Sequence, residues 1–175
     1  MKNAKIACFD VYYYKDYTRA SGIVFEIVPS ERIVSKYCKM MGAASQYISG
    51  AFYKRELPCL LGVYKGIKEN IDLIMVDGFV FLDGSKKGLG AYFFEALGRK
   101  IPVIGVAKTF FRGCGDYTKV YRGKSSKPLY VSSIGIDQNS AAGLIRGLRG
   151  GGRIPEILRK VDRLSRNEDM SLPPY

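Results

Sequence analysis

Two short, uninterrupted apolar runs constrain this chain most. They are Asp72-Leu73-Ile74-Met75-Val76-Asp77 and Pro102-Val103-Ile104-Gly105-Val106-Ala107, and they end at charged residues, Asp77 and Lys108. Short runs without polar alternation belong to strands covered on both faces, the usual situation of a parallel sheet. Each is preceded by helical spacing. Leu57, Leu60, Leu61, Tyr64 and Ile67 recur within 57–68, and Tyr92, Phe93, Ala96 and Leu97 within 89–99. The centre of the chain therefore reads α-β-α-β, with right-handed crossovers.

Three strands are expected before that centre, at 5–14, 20–28 and 33–40, joined by short turns and so antiparallel. A loop rich in Gly, Ala and Ser covers 41–54. After the centre, 118–122 and 128–134 read as short strands or extended segments. A helix over 139–149 has Asn139 or Ser140 as its N-cap and the glycines at 150–152 as its stop. Pro155 opens a last helix, 155–166. Three antiparallel strands followed by alternating helix and strand give one mixed five-stranded sheet, order 3-2-1-4-5, with helices on both faces. This is the ribonuclease-H-like α/β architecture, expected as one domain over 1–175.

In that order the first and fourth strands are neighbours, ~4.8 Å apart. Asp10 interrupts the first run and Asp77 ends the fourth, so their carboxylates can converge. Buried carboxylates are costly unless paired or bound to metal, and an oxygen-rich set suits Mg²⁺ or Mn²⁺. The alternative is a pair of turn acids, since Asp77-Gly78 is also good turn chemistry. Glu56, just before Pro58 at the start of the 57–68 helix, is a third candidate; its alternative is a dipole or capping role.

Charge and composition narrow the chemistry. The 175 residues hold 28 Lys and Arg against 16 Asp and Glu, a net charge of +12. Such a surface attracts polyanions, nucleic acid above all. Histidine is absent, which excludes His triads, His bases and His-ligated zinc. The four cysteines form no Cys-x-x-Cys pair, and Cys8 and Cys59 read as core residues. Between 99 and 127, Arg99, Lys100, Lys108, Arg112, Lys119, Arg122, Lys124 and Lys127 meet one acid, Asp116, and alternate with Phe110, Phe111, Tyr117 and Tyr121. That mixture suits phosphate contact with base stacking. No signal peptide or membrane span is read, so a cytoplasmic location is expected.

Several stretches, in order, resemble endonuclease V. Tyr47-Ile48-Ser49-Gly50 and Lys54-Arg55-Glu56-Leu57-Pro58 are similar to its wedge and Arg-Glu-x-Pro blocks. The 72–78 run, Gly88-Leu89-Gly90, the 101–108 run, Lys127 to Ser132, and Arg153 to Arg166 resemble the blocks that follow. The resemblance implies a nuclease that cuts the second phosphodiester 3′ to inosine or deoxyinosine, in DNA or RNA, for repair or processing. It implies Asp10, Glu56 and Asp77 as carboxylates for Mg²⁺ (Mn²⁺ possible) and Lys108 beside the scissile phosphate. Tyr47 is the implied wedge, with Gly78, Asp83 and Gly105 at the nucleic-acid-binding surface. A monomer is expected.

Departures from the family pattern are specific. Asp83 stands where the family has a His after the fourth strand, and Gly135-Ile136-Asp137 lies where a second His follows the sixth block. Aspartate can ligate metal but cannot donate a proton at neutral pH. Gln46 and Ser49 replace the wedge prolines, and Val80 replaces a glycine. A rival reading follows: a relative that binds nucleic acid without cutting it.

Overall fold

The structure is a computed structural model that describes residues 4–27, 30–43, 52–84, 86–113 and 116–167. The strands are β1 (Ile6–Tyr13), β2 (Tyr17–Ile27), β3 (Glu31–Gly42), β4 (Leu73–Asp77), β5 (Val103–Ala107), β6 (Thr118–Val120) and β7 (Leu129–Ile134). The helices are α1 (Phe52–Tyr64), α2 (Leu89–Ala96), α3 (Gln138–Gly147) and α4 (Glu156–Ser165).

All seven strands form one sheet in the order β3-β2-β1-β4-β5-β7-β6. The expected 3-2-1-4-5 core is present, with β1 and β4 parallel at its centre. The sheet has seven strands where five were expected. The two extended segments after Lys108 join it, β7 antiparallel to β5 and β6 antiparallel to β7. The gain is burial: Leu129, Val131 and Val120 become fully buried on covering the free side of β5. Each such side chain contributes about 1.5–3 kcal/mol.

The pleat sorts the core into two layers. Ile6 and Cys8 of β1, Leu73 and Met75 of β4, and Ile104 and Val106 of β5 pack against α3 and α4. Ala7 and Phe9, Ile74 and Val76, and Val103 pack against α1 and α2 on the other face. Cys8 and Cys59 are both buried. Helix α4 is amphipathic, with Ile157, Leu158, Val161 and Leu164 inward at helical spacing.

Three helices begin elsewhere than the sequence suggested; α4 starts at Glu156, with Pro155 as its N-cap. Helix α1 starts at Phe52, so Glu56 lies inside it, and Pro58 sits within the helix on its exposed side. The buried side runs Glu56, Cys59, Leu60, Val63, and this packing outweighs the single backbone bond that Pro58 removes. Helix α3 is capped by Asp137, whose carboxylate accepts the Ser140 N–H at 2.8 Å. Among the described residues no helix is long and apolar enough to cross a membrane.

Candidate metal and phosphate site

The site forms on three adjacent parallel strands, inside β1 and at the ends of β4 and β5. Phe9 of β1 is in register with Val76 of β4, so Asp10 comes beside Asp77 one step later. Asp77 is in register with Val106 of β5, and Lys108 follows two residues on. Asp10, Asp77 and Lys108 share the parity of Cys8, Met75 and Val106, so all three rise on the α4 face. They line one small pocket with Phe9, Val106, Leu158 and Val161. The Lys108 ammonium donates to Asp77 Oδ2 at 2.7 Å. Burial alone would lower the Lys108 pKa; the Asp77 charge overcomes it and holds the ammonium above its ordinary value.

Asp10 and Glu56 are charged poorly by their surroundings. Burial pushes the Asp10 carboxyl up to about 6, helped by the Asp77 and Asp162 charges and opposed by the Ser165 hydroxyl and by Lys108. Ser165, at the end of α4, donates to Asp10 Oδ2. Glu56 is 7% exposed. Burial raises it to about 8, and the charges of Asp10 and Asp77 add to the shift. Tyr13 donates its hydroxyl to Glu56 Oε1 at 3.1 Å, and the Arg55 guanidinium lies 3.5 Å over the Tyr13 ring.

Asp10, Asp77 and Glu56 thus feel one another's charge, but the expected cage of three ligands is not preformed. Among the described residues no three acids or cysteines stand close enough to hold a metal ion. The reason is the pleat. Asp10 and Asp77 rise on the α4 face, while Glu56 comes from α1 on the opposite face and is tied to Tyr13, which shares that face. The donor chemistry still suits a hard cation. Two adjacent carboxylates with water in the remaining positions is how proteins commonly hold Mg²⁺, and mutual repulsion among the acids is what an added cation would relieve.

The glycines act through the backbone. Gly78 has φ +116°, a conformation open to glycine at little cost. Its carbonyl lies against Gly105: a Cβ there would meet Gly78 O at 2.5 Å and Ser132 Oγ at 2.9 Å. Gly105 is buried beneath the loop that follows Asp77, so the structure puts it under the surface and not on it. Ser132 Oγ accepts the Val80 N–H at 2.9 Å and fastens the same loop. Val80, the departure from glycine, is fully buried with its methyl group against the start of α2 at Gly90. Asp83 accepts the Lys86 N–H at 2.7 Å within its own turn. Tyr47 lies outside the described residues.

The basic stretch divides. Phe110, Phe111 and Tyr121 are exposed, as are Lys119, Lys124 and Lys127. Arg122 is not a surface residue: it is 6% exposed, and its guanidinium donates to the carbonyls of Arg146, Leu148, Arg149 and Gly150. Sequence reading missed Tyr13, Ser165 and Arg153. Arg153 donates to the carbonyls of Lys108 and Pro128 and so fixes the segment that carries the lysine. Only the closing Arg153–Arg166 block, already part of the resemblance, could have pointed to the last two.

Comparison with known proteins agrees with this fold. A crystal structure of endonuclease V from Bacillus subtilis superposes with a TM-score of 0.80 at 23% identity, over 95% of this chain and 81% of that one. The Ciona intestinalis endonuclease V, crystallised with DNA containing an inosine followed by a ribo-adenosine, gives 0.78 at 21% identity, over 95% and 86%. In sequence, the Bacillus subtilis protein is 27% identical over 114 residues, 62% of this chain. That match spans about half of the relative, 47% of its length. The sequence model of the endonuclease V family matches residues 1–124. With that span of motif and fold, the chain belongs to the endonuclease V family.

Proposed function

We propose that this chain is a metal-dependent endonuclease that cuts a phosphodiester 3′ to a deaminated purine, inosine in RNA or deoxyinosine in DNA. The observation that carries this reading is the meeting of Asp10, inside β1, with Asp77 and Lys108, at the ends of β4 and β5, on one face of the sheet. Family membership supports the reaction, and the inosine-containing DNA in the Ciona relative supports the substrate class.

Asp10 and Asp77 would hold Mg²⁺ or Mn²⁺, with Glu56 available once its proton leaves. The bound ion supplies Lewis acidity toward the phosphate and a more acidic water. Lys108 neutralises charge that gathers on the phosphate oxygens, a contact that strengthens toward the transition state. Tyr13 and Ser165 hold the Glu56 and Asp10 carboxyls in place by their hydroxyls. The exposed aromatic and basic residues of 110–127 offer a track for the strand.

A second reading, recognition without cleavage, draws on one contact. Lys108 already supplies Asp77 with a fixed positive charge at 2.7 Å. Both readings meet one experiment. An oligonucleotide bearing a single inosine or deoxyinosine is incubated with the protein and Mg²⁺ or Mn²⁺. The nuclease reading expects a nick at the second phosphodiester 3′ to the lesion, with 3′-hydroxyl and 5′-phosphate ends, abolished by chelator. Tight, salt-sensitive binding with no nick in either metal selects the second reading.

A further inference from the structure

The β1–β2 hairpin carries chemistry that neither the metal site nor the 99–127 stretch uses. β1 continues past Asp10 to Tyr12 and Tyr13, the chain turns through Tyr14, Lys15 and Asp16, and β2 begins at Tyr17. Tyr12 is in register with Arg19, and the Tyr14 N–H bonds the Tyr17 carbonyl at 2.9 Å. Cross-strand partners share a face, so Tyr12, Tyr14, Tyr17 and Arg19 all lie on the face that carries Asp10.

Their rings form a continuous patch. Tyr14 and Tyr17 are stacked, with centroids 4.3 Å apart and planes at 16°. Tyr12 meets Tyr14 edge-on at 4.8 Å. The Arg166 guanidinium lies 4.6 Å from the Tyr12 centroid, and Arg19 is pinned beside them by Asn167 at 2.7 Å. The three tyrosines are partly exposed, and Lys15 at the tip is exposed. A core satellite would bury such rings, whereas these stay partly exposed beside arginine and lysine.

Position gives the patch its meaning. Tyr14 is four residues beyond Asp10 on an extended strand, ~14 Å away. That is the length of about four stacked nucleotides of one strand at ~3.4 Å each. Aromatic faces accept any base, and neighbouring cations accept the phosphates.

We propose that the β1–β2 hairpin is a grip for an unpaired strand, holding nucleotides a few positions away from the reacting phosphate by stacking on Tyr12, Tyr14 and Tyr17. The proposal rests on the chain acting on nucleic acid, but its test needs no cleavage. The probes are fluorescent oligothymidylate and oligouridylate of about 15 nucleotides, with a blunt duplex of equal length, all without inosine or divalent metal. Tyr14→Ala/Tyr17→Ala is expected to weaken single-strand binding about 10- to 100-fold, and Tyr14→Phe/Tyr17→Phe less than about threefold. Duplex binding is expected to stay within about twofold. Equal single-strand binding by wild type and the alanine variant, or equal losses on single strand and duplex, overturns the grip. If the alanine variant does not fold, Lys15→Glu at the exposed tip serves instead, with about fivefold weaker single-strand binding expected and no change overturning the idea. A protein that nicks inosine substrates but binds single strands independently of the hairpin keeps the nuclease reading and loses the grip. Hairpin-dependent binding without any nick does the opposite.

Discussion

Two buried charges in this molecule have opposite surroundings. Arg122, between β6 and the end of α3, sits among backbone carbonyls and donates to four of them through Nε and Nη2. Fixed dipoles meet part of its charge, although Nη1 has no partner among the described residues and burial lowers its pKa; the result is a clamp on the 146–150 turn. Glu56, equally buried, accepts from one phenol hydroxyl and feels the charge of Arg55, with two other acids within electrostatic range. Its environment favours the protonated form. Local compensation makes a charge structural, while an excess of one sign leaves a site wanting a counterion. The 99–127 region teaches the same thing from the surface: a basic residue inside a basic run can be an interior clamp.

The largest expected effect tests the acidic side of this contrast. Asp77→Asn should lower inosine-directed cleavage by about a thousandfold or more, as removal of a central electrostatic group does, measured by single-turnover nicking. The same variant should fold normally and lose the rise in melting temperature that Mg²⁺ gives the wild type. A melting temperature that Mg²⁺ raises equally in both proteins would detach Asp77 from the ion.

Arg122→Met probes the compensated charge. It leaves several carbonyls without donors, at about 1–3 kcal/mol for a buried unsatisfied group. The expected loss is about 3 kcal/mol, roughly 10 °C in a protein of this size, read by urea and thermal unfolding. Cleavage by the folded fraction should change little. A large loss of nucleic-acid affinity at unchanged stability would return Arg122 to the binding surface.

Glu56→Gln tests the uncompensated acid through pH. The folded carboxyl titrates at about 8 against an ordinary 4.5. A raised carboxyl pKa means the folded state holds the proton more tightly than the unfolded state. That stability is fully present below about 4.5 and disappears as pH rises through about 8. Wild type without divalent metal should therefore lose stability across this window, and Glu56→Gln should flatten the loss, melting roughly 5 °C higher than wild type at pH 8. Parallel melting curves in the two proteins would show that Glu56 is already well solvated.

Gly105→Ala should give the smallest change, about 1–2 kcal/mol by crowding. The new methyl must move Gly78 O, which it would meet at 2.5 Å. Asp77 precedes that glycine, so nicking should fall more than stability predicts. Wild-type nicking with lowered stability would show that the loop yields without disturbing Asp77.

Much of the site was legible in the chain. Asp77 and Lys108 stand where apolar runs that read as buried strands stop, and the resemblance to the family is what marks them as site residues. Asp10 is read by the same rule, as an acid inside an apolar strand. Glu56 was found as a residue but misplaced within its helix, because Pro58 suggested a helix start and the packing of Cys59, Leu60 and Val63 overrode it. Tyr13, Ser165 and Arg153 had no comparable signal: a tyrosine among 13, a serine near a helix end and an arginine after glycines acquire meaning only from what lies across the fold.

The sequence alone determined the order of elements and the acids that interrupt or end its apolar runs, Asp10 and Asp77. Those features follow from local periodicity and from where apolar runs stop, and both are properties of neighbours in the chain. Tertiary structure alone decided that two more strands close the sheet and that Arg122 is an interior clamp. It also decided that Glu56 approaches from the opposite face to Asp10 and Asp77. These depend on the sheet's parity and on contacts between residues far apart in sequence, such as Ser165 and Asp10, and no local pattern encodes them.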